Sequence, residues 1–111
     1  MEDKNTLVQL NIPERFMLIE ILPEMGNFVT LKTVEALKQL IYPSEEQVAK
    51  YEIRQDDKLI SWNKKALDSL EFEFTDIQVS FVVDKFTALS DKDELKYTQF
   101  VLYKKFNKDA V

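Results

Sequence analysis

The hydrophobic positions of this chain change period several times, and each change marks an element. Thr6 to Ile12 (TLVQLNI) alternates weakly between apolar and polar, as a short edge strand or an extended lead-in does. From Pro13 the spacing turns helical. Phe16, Ile19 and Leu22 share a face, and Met17, Leu18 and Ile21 widen it. Only Glu14, Arg15 and Glu20 interrupt that apolar surface, so a helix over 13–22 is predicted to be the most buried one. Asn11 is placed to cap it, Pro13 suits its first turn, and Pro23 stops it because proline cannot extend the ladder. Gly26, the single glycine, sits in PEMGN, where a turn with positive φ is expected. A second helix is predicted over 31–42, capped by Thr30. Leu31, Val34, Leu37 and Ile41 form its stripe, with Leu40 beside it. Ser44 and Gln47 then make a capping box that opens a short third helix, Glu45–Lys50.

Two short alternating runs follow, residues 51–55 and 58–62, around Gln55-Asp56-Asp57. They predict a β-hairpin with Ile53 and Leu59 or Ile60 facing the core. No glycine stands at the turn, so a connection slightly longer than two residues is expected. Residues 63–69 read as a loop or one helical turn. Leu70–Phe74 alternates strictly, with Leu70, Phe72 and Phe74 inward, as a half-buried strand or an extended lead-in. Thr75 and Gln78 form a second capping box, opening a helix over 76–89. Val79, Val82, Val83, Phe86 and Leu89 line it, with Ile77 and Phe81 to one side. A last helix, capped by Asp93 or Thr98, runs to Phe106 and packs through Phe100, Val101, Tyr103 and Phe106. The predicted fold class is α+β: one mainly helical domain of four to five helices with a small antiparallel hairpin, which the Leu70–Phe74 strand has room to widen. Its chain order is also that of a winged helix.

Composition narrows the chemistry. The length of 111 residues suits one domain, and 45% hydrophobic content with eight Phe supplies a core that needs no staples. The net charge of −5 argues against nucleic-acid binding through the whole surface. Residues 44–76 hold nine acids against five bases, whereas residues 77–111 hold five against six. Lys104, Lys105 and Lys108 form the one basic end, a placement that complements a helix C-terminus. The absence of Cys excludes disulfides and thiolate chemistry, and the absence of His excludes Ser-His-Asp and Cys-His catalysis. One glycine cannot build a phosphate-cradling loop. No cofactor, no metal and no enzyme activity are therefore expected. The polar N-terminus and short apolar runs predict a cytoplasmic protein with no membrane segment.

The remaining candidates are carboxylates and aromatics. Asp91-Lys92-Asp93-Glu94 opens like a calcium loop, but Lys96 stands where glycine is needed and Leu102 where a bidentate Glu is needed. Glu71 and Glu73 are spaced for paired acid–base work, although a solvent-facing alternation accounts for them. Trp62 is either an interface residue or an aromatic that closes the hairpin over the second or fourth helix. In a winged-helix reading, Gln47, Lys50, Arg54 and Lys58 would favour DNA, and Glu45, Glu46, Asp56 and Asp57 would oppose it. The leading expectation is a non-catalytic module that binds a protein partner through the acidic hairpin face, with Tyr51, Arg54, Asp56, Asp57 and Trp62 as contact residues. Pairing of the 51–55 edge with a second copy, giving a homo-oligomer, belongs to the same class. The alternatives are a winged-helix-like nucleic-acid regulator and a carboxylate-dependent enzyme.

Pro13-Glu14-Arg15, Leu18, Leu22-Pro23 and Gly26 precede Leu31, Ser44-Glu45-Glu46, Trp62-Asn63, Thr98 and Tyr103 to Phe106. The set resembles a group of small uncharacterised proteins of bacteriophage and prophage gene sets, from which Tyr97 before Thr98 departs. The resemblance implies a small accessory protein in a bacterial or viral setting, and it carries over no activity and no site.

Overall fold

The computed structural model describes residues 5–57 and 59–107. Lys58 and Lys108, assigned above to the hairpin and the basic end, lie outside them. The element order is β1 (Thr6–Leu10), α1 (Ile12–Ile21), α2 (Phe28–Ile41), α3 (Glu45–Lys50), β2 (Arg54–Asp56), β3 (Leu59–Ser61), a 3-10 turn (Lys64–Leu67), β4 (Leu70–Phe74), α4 (Asp76–Asp91) and α5 (Tyr97–Phe106). This is the α+β architecture expected, but the strands combine differently. β4 does not widen the hairpin. It pairs antiparallel with β1, from Thr6↔Phe74 to Leu10↔Leu70, while β2 and β3 form a separate two-stranded sheet. The reason is the core face. β1 and β4 present Val8, Leu10, Phe72 and Phe74 to one interior, whereas all three residues of β2 are exposed.

Two apolar clusters result. The main core gathers Val8, Leu10, Leu18, Leu37, Ile41, Phe74, Val82, Phe86, Leu102 and Phe106. Phe74 and Phe106 meet edge to face at 5.0 Å. A smaller cluster joins Ile12, Tyr51 and Ala66, with Phe16 and Ile53 packed against it, and this cluster carries the hairpin. Arg15 lies between the two. It is 2% exposed, although its position on α1 reads as a polar interruption of the apolar surface.

The helix caps explain most boundaries. Asn11, Ser44 and Thr75 form the reciprocal boxes with Glu14, Gln47 and Gln78. α2 starts earlier than predicted because Asn27, not Thr30, is its cap: the Asn27 side-chain oxygen accepts the Thr30 N–H at 2.8 Å. That extra turn exposes Phe28 and Val29. Gly26 does not adopt positive φ. It is needed for close approach, since a Cβ there would meet Thr30 Cγ2 at 2.8 Å. α5 begins at Tyr97 with Lys96 at its cap, so neither Asp93 nor Thr98 caps it. Its buried face is Gln99, Leu102 and Phe106, which leaves Phe100 and Val101 outside. Lys105, in its last turn, reaches back to the Gln9 carbonyl at 2.9 Å and to Glu14 at 2.6 Å.

Among the described residues the positive-φ positions are all acidic: Glu52, Asp57 and Asp93. Asp56 pairs with Leu59, so the hairpin turn holds two residues, shorter than expected. Asp57 makes it possible by taking φ 50°, a conformation that Asp tolerates better than most residues. Asp93 closes α4. Its N–H donates to the Ser90 carbonyl and the Glu94 N–H donates to the Leu89 carbonyl, which is the Schellman arrangement. The Asp91–Glu94 run is therefore a helix terminus. Glycine bears φ 56° without the Cβ penalty, so Asp93→Gly is expected to stabilise the fold by roughly 0.5–1 kcal/mol. A urea midpoint that stays put or falls would contradict this account of the terminus.

Candidate functional site

The hairpin is held from below by backbone geometry and one amide. α3 ends in a second Schellman arrangement: Glu52 N–H donates to the Ala49 carbonyl and Ile53 N–H to the Val48 carbonyl, with Glu52 at φ 51°. This turns the chain so that Tyr51 drops into the small cluster and β2 leaves it. On the return strand Asn63 closes the base. Its main-chain N–H donates to the Tyr51 carbonyl at 2.9 Å. Its side-chain amide donates to the Lys50 carbonyl at 3.0 Å and to Glu52 Oε2 at 3.2 Å. Its side-chain oxygen accepts the Lys65 N–H and so caps the 3-10 turn.

Trp62, beside Asn63, is thereby laid over α1. Its ring stacks on Phe16 at 6.5 Å with planes 11° apart, and 37% of the residue stays exposed. It closes the hairpin over the first helix rather than the second or fourth. Tyr42, just past α2, meets Phe16 edge-on at 6.2 Å and is 53% exposed. Phe16 is thus flanked by two half-exposed aromatics. Next to it runs a groove of about 360 Å³ lined by Phe16, Ile19, Glu20, Tyr42, Gln55 and Ile60.

The expected contact residues do not all reach this face. Tyr51 is 3% exposed and belongs to the core, so it is corrected from a surface contact to a packing residue; Lys50 Nζ lies 5.5 Å from its ring centroid. Arg54 and Trp62 are brought together, sharing a shallow recess with Glu52, Ser61 and Asn63. Asp56 and Asp57 sit at the far tip, exposed, beside Leu59 at 76% exposure. Phe16, Ile19 and Ile60 were not foreseen as surface. For Phe16 and Ile19 the one signal is that α1 has more apolar faces than a single core can cover.

Other candidates are placed as follows. Gln47, at the head of α3, spends its side-chain oxygen on Ser44 N–H and Arg15 and its position on the cap, so it does not face outward as a base reader. Glu71 and Glu73 lie opposite Gln9 and Leu7 on the outer face of the β1–β4 sheet, where Asn5 donates to Glu73 at 3.1 Å. Among the described residues no three acidic side chains converge to hold a metal, and no helix is long and apolar enough to cross a membrane. No family model, curated protein or solved structure matches the chain.

Asn63→Ala removes three side-chain hydrogen bonds from the hairpin base while leaving Trp62 in place. We expect a loss of about 1–2 kcal/mol in urea unfolding together with easier acrylamide quenching of Trp62. Unchanged quenching would show that Asn63 does not position the indole.

Proposed function

We propose that this chain is a non-catalytic protein-interaction module whose partner docks on the aromatic face at the base of the hairpin. The observation that carries the reading is the Tyr42–Phe16–Trp62 row beside an open apolar groove. Aromatic residues held rigidly by their neighbours lose little freedom on binding, and Trp and Tyr are the side chains most often found at energetic centres of interfaces. The groove next to them offers Ile19 and Ile60 as walls, with Glu20 and Gln55 to orient a partner's polar groups. A partner side chain of apolar character, entering between Tyr42 and Ile60, would bury the exposed parts of the Phe16 and Tyr42 rings that line the groove, with Trp62 stacked behind Phe16. Arg54 would then stand at the polar rim, with the exposed Asp56 and Asp57 beyond it at the hairpin tip. An accessory role in a phage or bacterial cytoplasm is part of the same proposal.

The test compares tagged wild-type protein with Trp62→Ala and Ile60→Glu in nuclease-treated lysate of the natural host. One protein recovered in near-stoichiometric amount by wild type, and at least about tenfold less by either variant, is expected. Recovery that needs intact nucleic acid, or that both variants retain, would overturn the reading.

A further inference from the structure

A second pair of surfaces lies away from the hairpin. Between the first turns of α2 and α4 runs a groove of about 400 Å³, lined by Val29, Thr30, Thr33, Asp76, Ile77, Ser80, Phe81 and Asp84. Ile77 and Val29 are 73% and 70% exposed, and Phe28 at the head of α2 is 75% exposed. The charged side chains that line the groove are both acidic, Asp76 and Asp84. Neither takes part in an ion pair among the described residues, and the nearby Lys85 lies over the Phe81 ring.

The outer face of α5 carries the complementary set. Lys96, Tyr97, Phe100, Val101 and Lys104 repeat the spacing of Asp76, Ile77, Ser80, Phe81 and Asp84 position for position. Tyr97, Phe100, Val101 and Lys104 therefore span the same arc of α5 that Ile77, Ser80, Phe81 and Asp84 span of α4, while Lys96 stands at the cap just ahead of its helix and Asp76 is the first residue of its own. Tyr97 is 77% exposed and tilts against Phe100 at 5.7 Å, and Lys104 lies over the same ring. On α4 the two acids are eight residues apart, roughly 12 Å along the axis, and the two lysines, one at the cap of α5 and one within it, are eight residues apart as well. Acids on one stripe thus fall opposite bases on the other, whether the helices run parallel or antiparallel. Ser80, the small residue at the centre of the α4 stripe, corresponds to the bulky Phe100 at the centre of the α5 stripe.

We infer that the chain binds a second copy of itself by seating the Tyr97–Phe100–Val101 stripe of α5 in the α2/α4 groove, with Lys96 and Lys104 against Asp76 and Asp84. The contact joins two different surfaces, so each copy offers both a groove and a stripe. It uses neither the hairpin nor Trp62 and stands independently of the partner-binding reading.

Sedimentation of the full chain at low and high salt tests this. Wild-type protein is expected to self-associate and to lose the association as salt rises. Two charge-reversed variants, Asp76→Lys with Asp84→Lys and Lys96→Glu with Lys104→Glu, are each expected to associate at least about tenfold more weakly. Mixed together, they are expected to regain association with each other, because each then offers the stripe the other needs. Wild type that stays monomeric up to about 1 mM at low salt, or variants that associate as wild type does, would overturn the inference. So would folded variants that fail to complement. Asp84→Lys with Lys104→Glu as single changes, and Tyr97→Ser on its exposed site, repeat the test should a double variant not give the wild-type circular dichroism spectrum.

Discussion

The guanidinium of Arg15 is the contact on which the arrangement of this molecule turns. It leaves α1, donates from Nε to the Ile41 carbonyl at 2.6 Å and from Nη2 to Gln47 Oε1 at 3.0 Å, and lies 4.8 Å from the centre of the Phe72 ring. One side chain therefore touches the end of α2, the head of α3 and a residue of β4. Its partners are a carbonyl, an amide and an aromatic face, all neutral. Burial pushes its pKa below the ordinary arginine value, and the Tyr51 phenol acts in the opposite sense. A guanidinium stays charged through this because its intrinsic pKa is so high. The cost of desolvating it is offset by the carbonyl end of α2, where a cation is favoured, and by the ring beneath it.

This contact matters to the proposed surface because the hairpin rests on a small cluster. Ile12, Tyr51 and Ala66, with Phe16 and Ile53, are too few to fix an element alone. Arg15 ties the α3 cap, through Gln47, to the C-terminus of α2 in the main core. Phe16, the next residue on α1, then presents its ring to Trp62 and Tyr42. The same helix turn thus buries a cation on one side and supports the aromatic row on the other.

The parts of the fold that were legible from sequence are those with a local cause. The cap at Asn11 and the capping boxes at Ser44 and Thr75 are short-range hydrogen-bond patterns, and each appears where its residues stand. Strict alternation in Leu70–Phe74 likewise made a strand. What escaped was long-range or depended on small shifts. The pairing of β4 with β1 is decided by a shared interior and not by either segment. Asn27 outcompeted Thr30 as a cap, and the helix it opens left Phe28 and Val29 in solvent. In α5 the polar Gln99 is buried because its amide caps Lys96, a role that hydrophobic patterning assigns to no one. Arg15 is the largest such case. A charged residue on an otherwise apolar helix reads as a solvent contact, and only the convergence of Ile41, Gln47 and Phe72 makes it interior. The aromatic row was partly visible: Trp62 drew notice as the single tryptophan, while Phe16 read as core.

The central claim is that Arg15 holds the α3–hairpin unit, and with it the aromatic face, onto the main core. Residue-resolved hydrogen exchange on Arg15→Leu tests it most directly. The substitution keeps an apolar stem but takes the Arg15 donor from the Ile41 carbonyl and cuts the tie to Gln47, whose side-chain oxygen then keeps only the Ser44 N–H. The account predicts that amides of residues 44–63 lose protection while those of β1, β4 and α4 keep theirs. Loss spread evenly over both cores, or no loss at all, would contradict it.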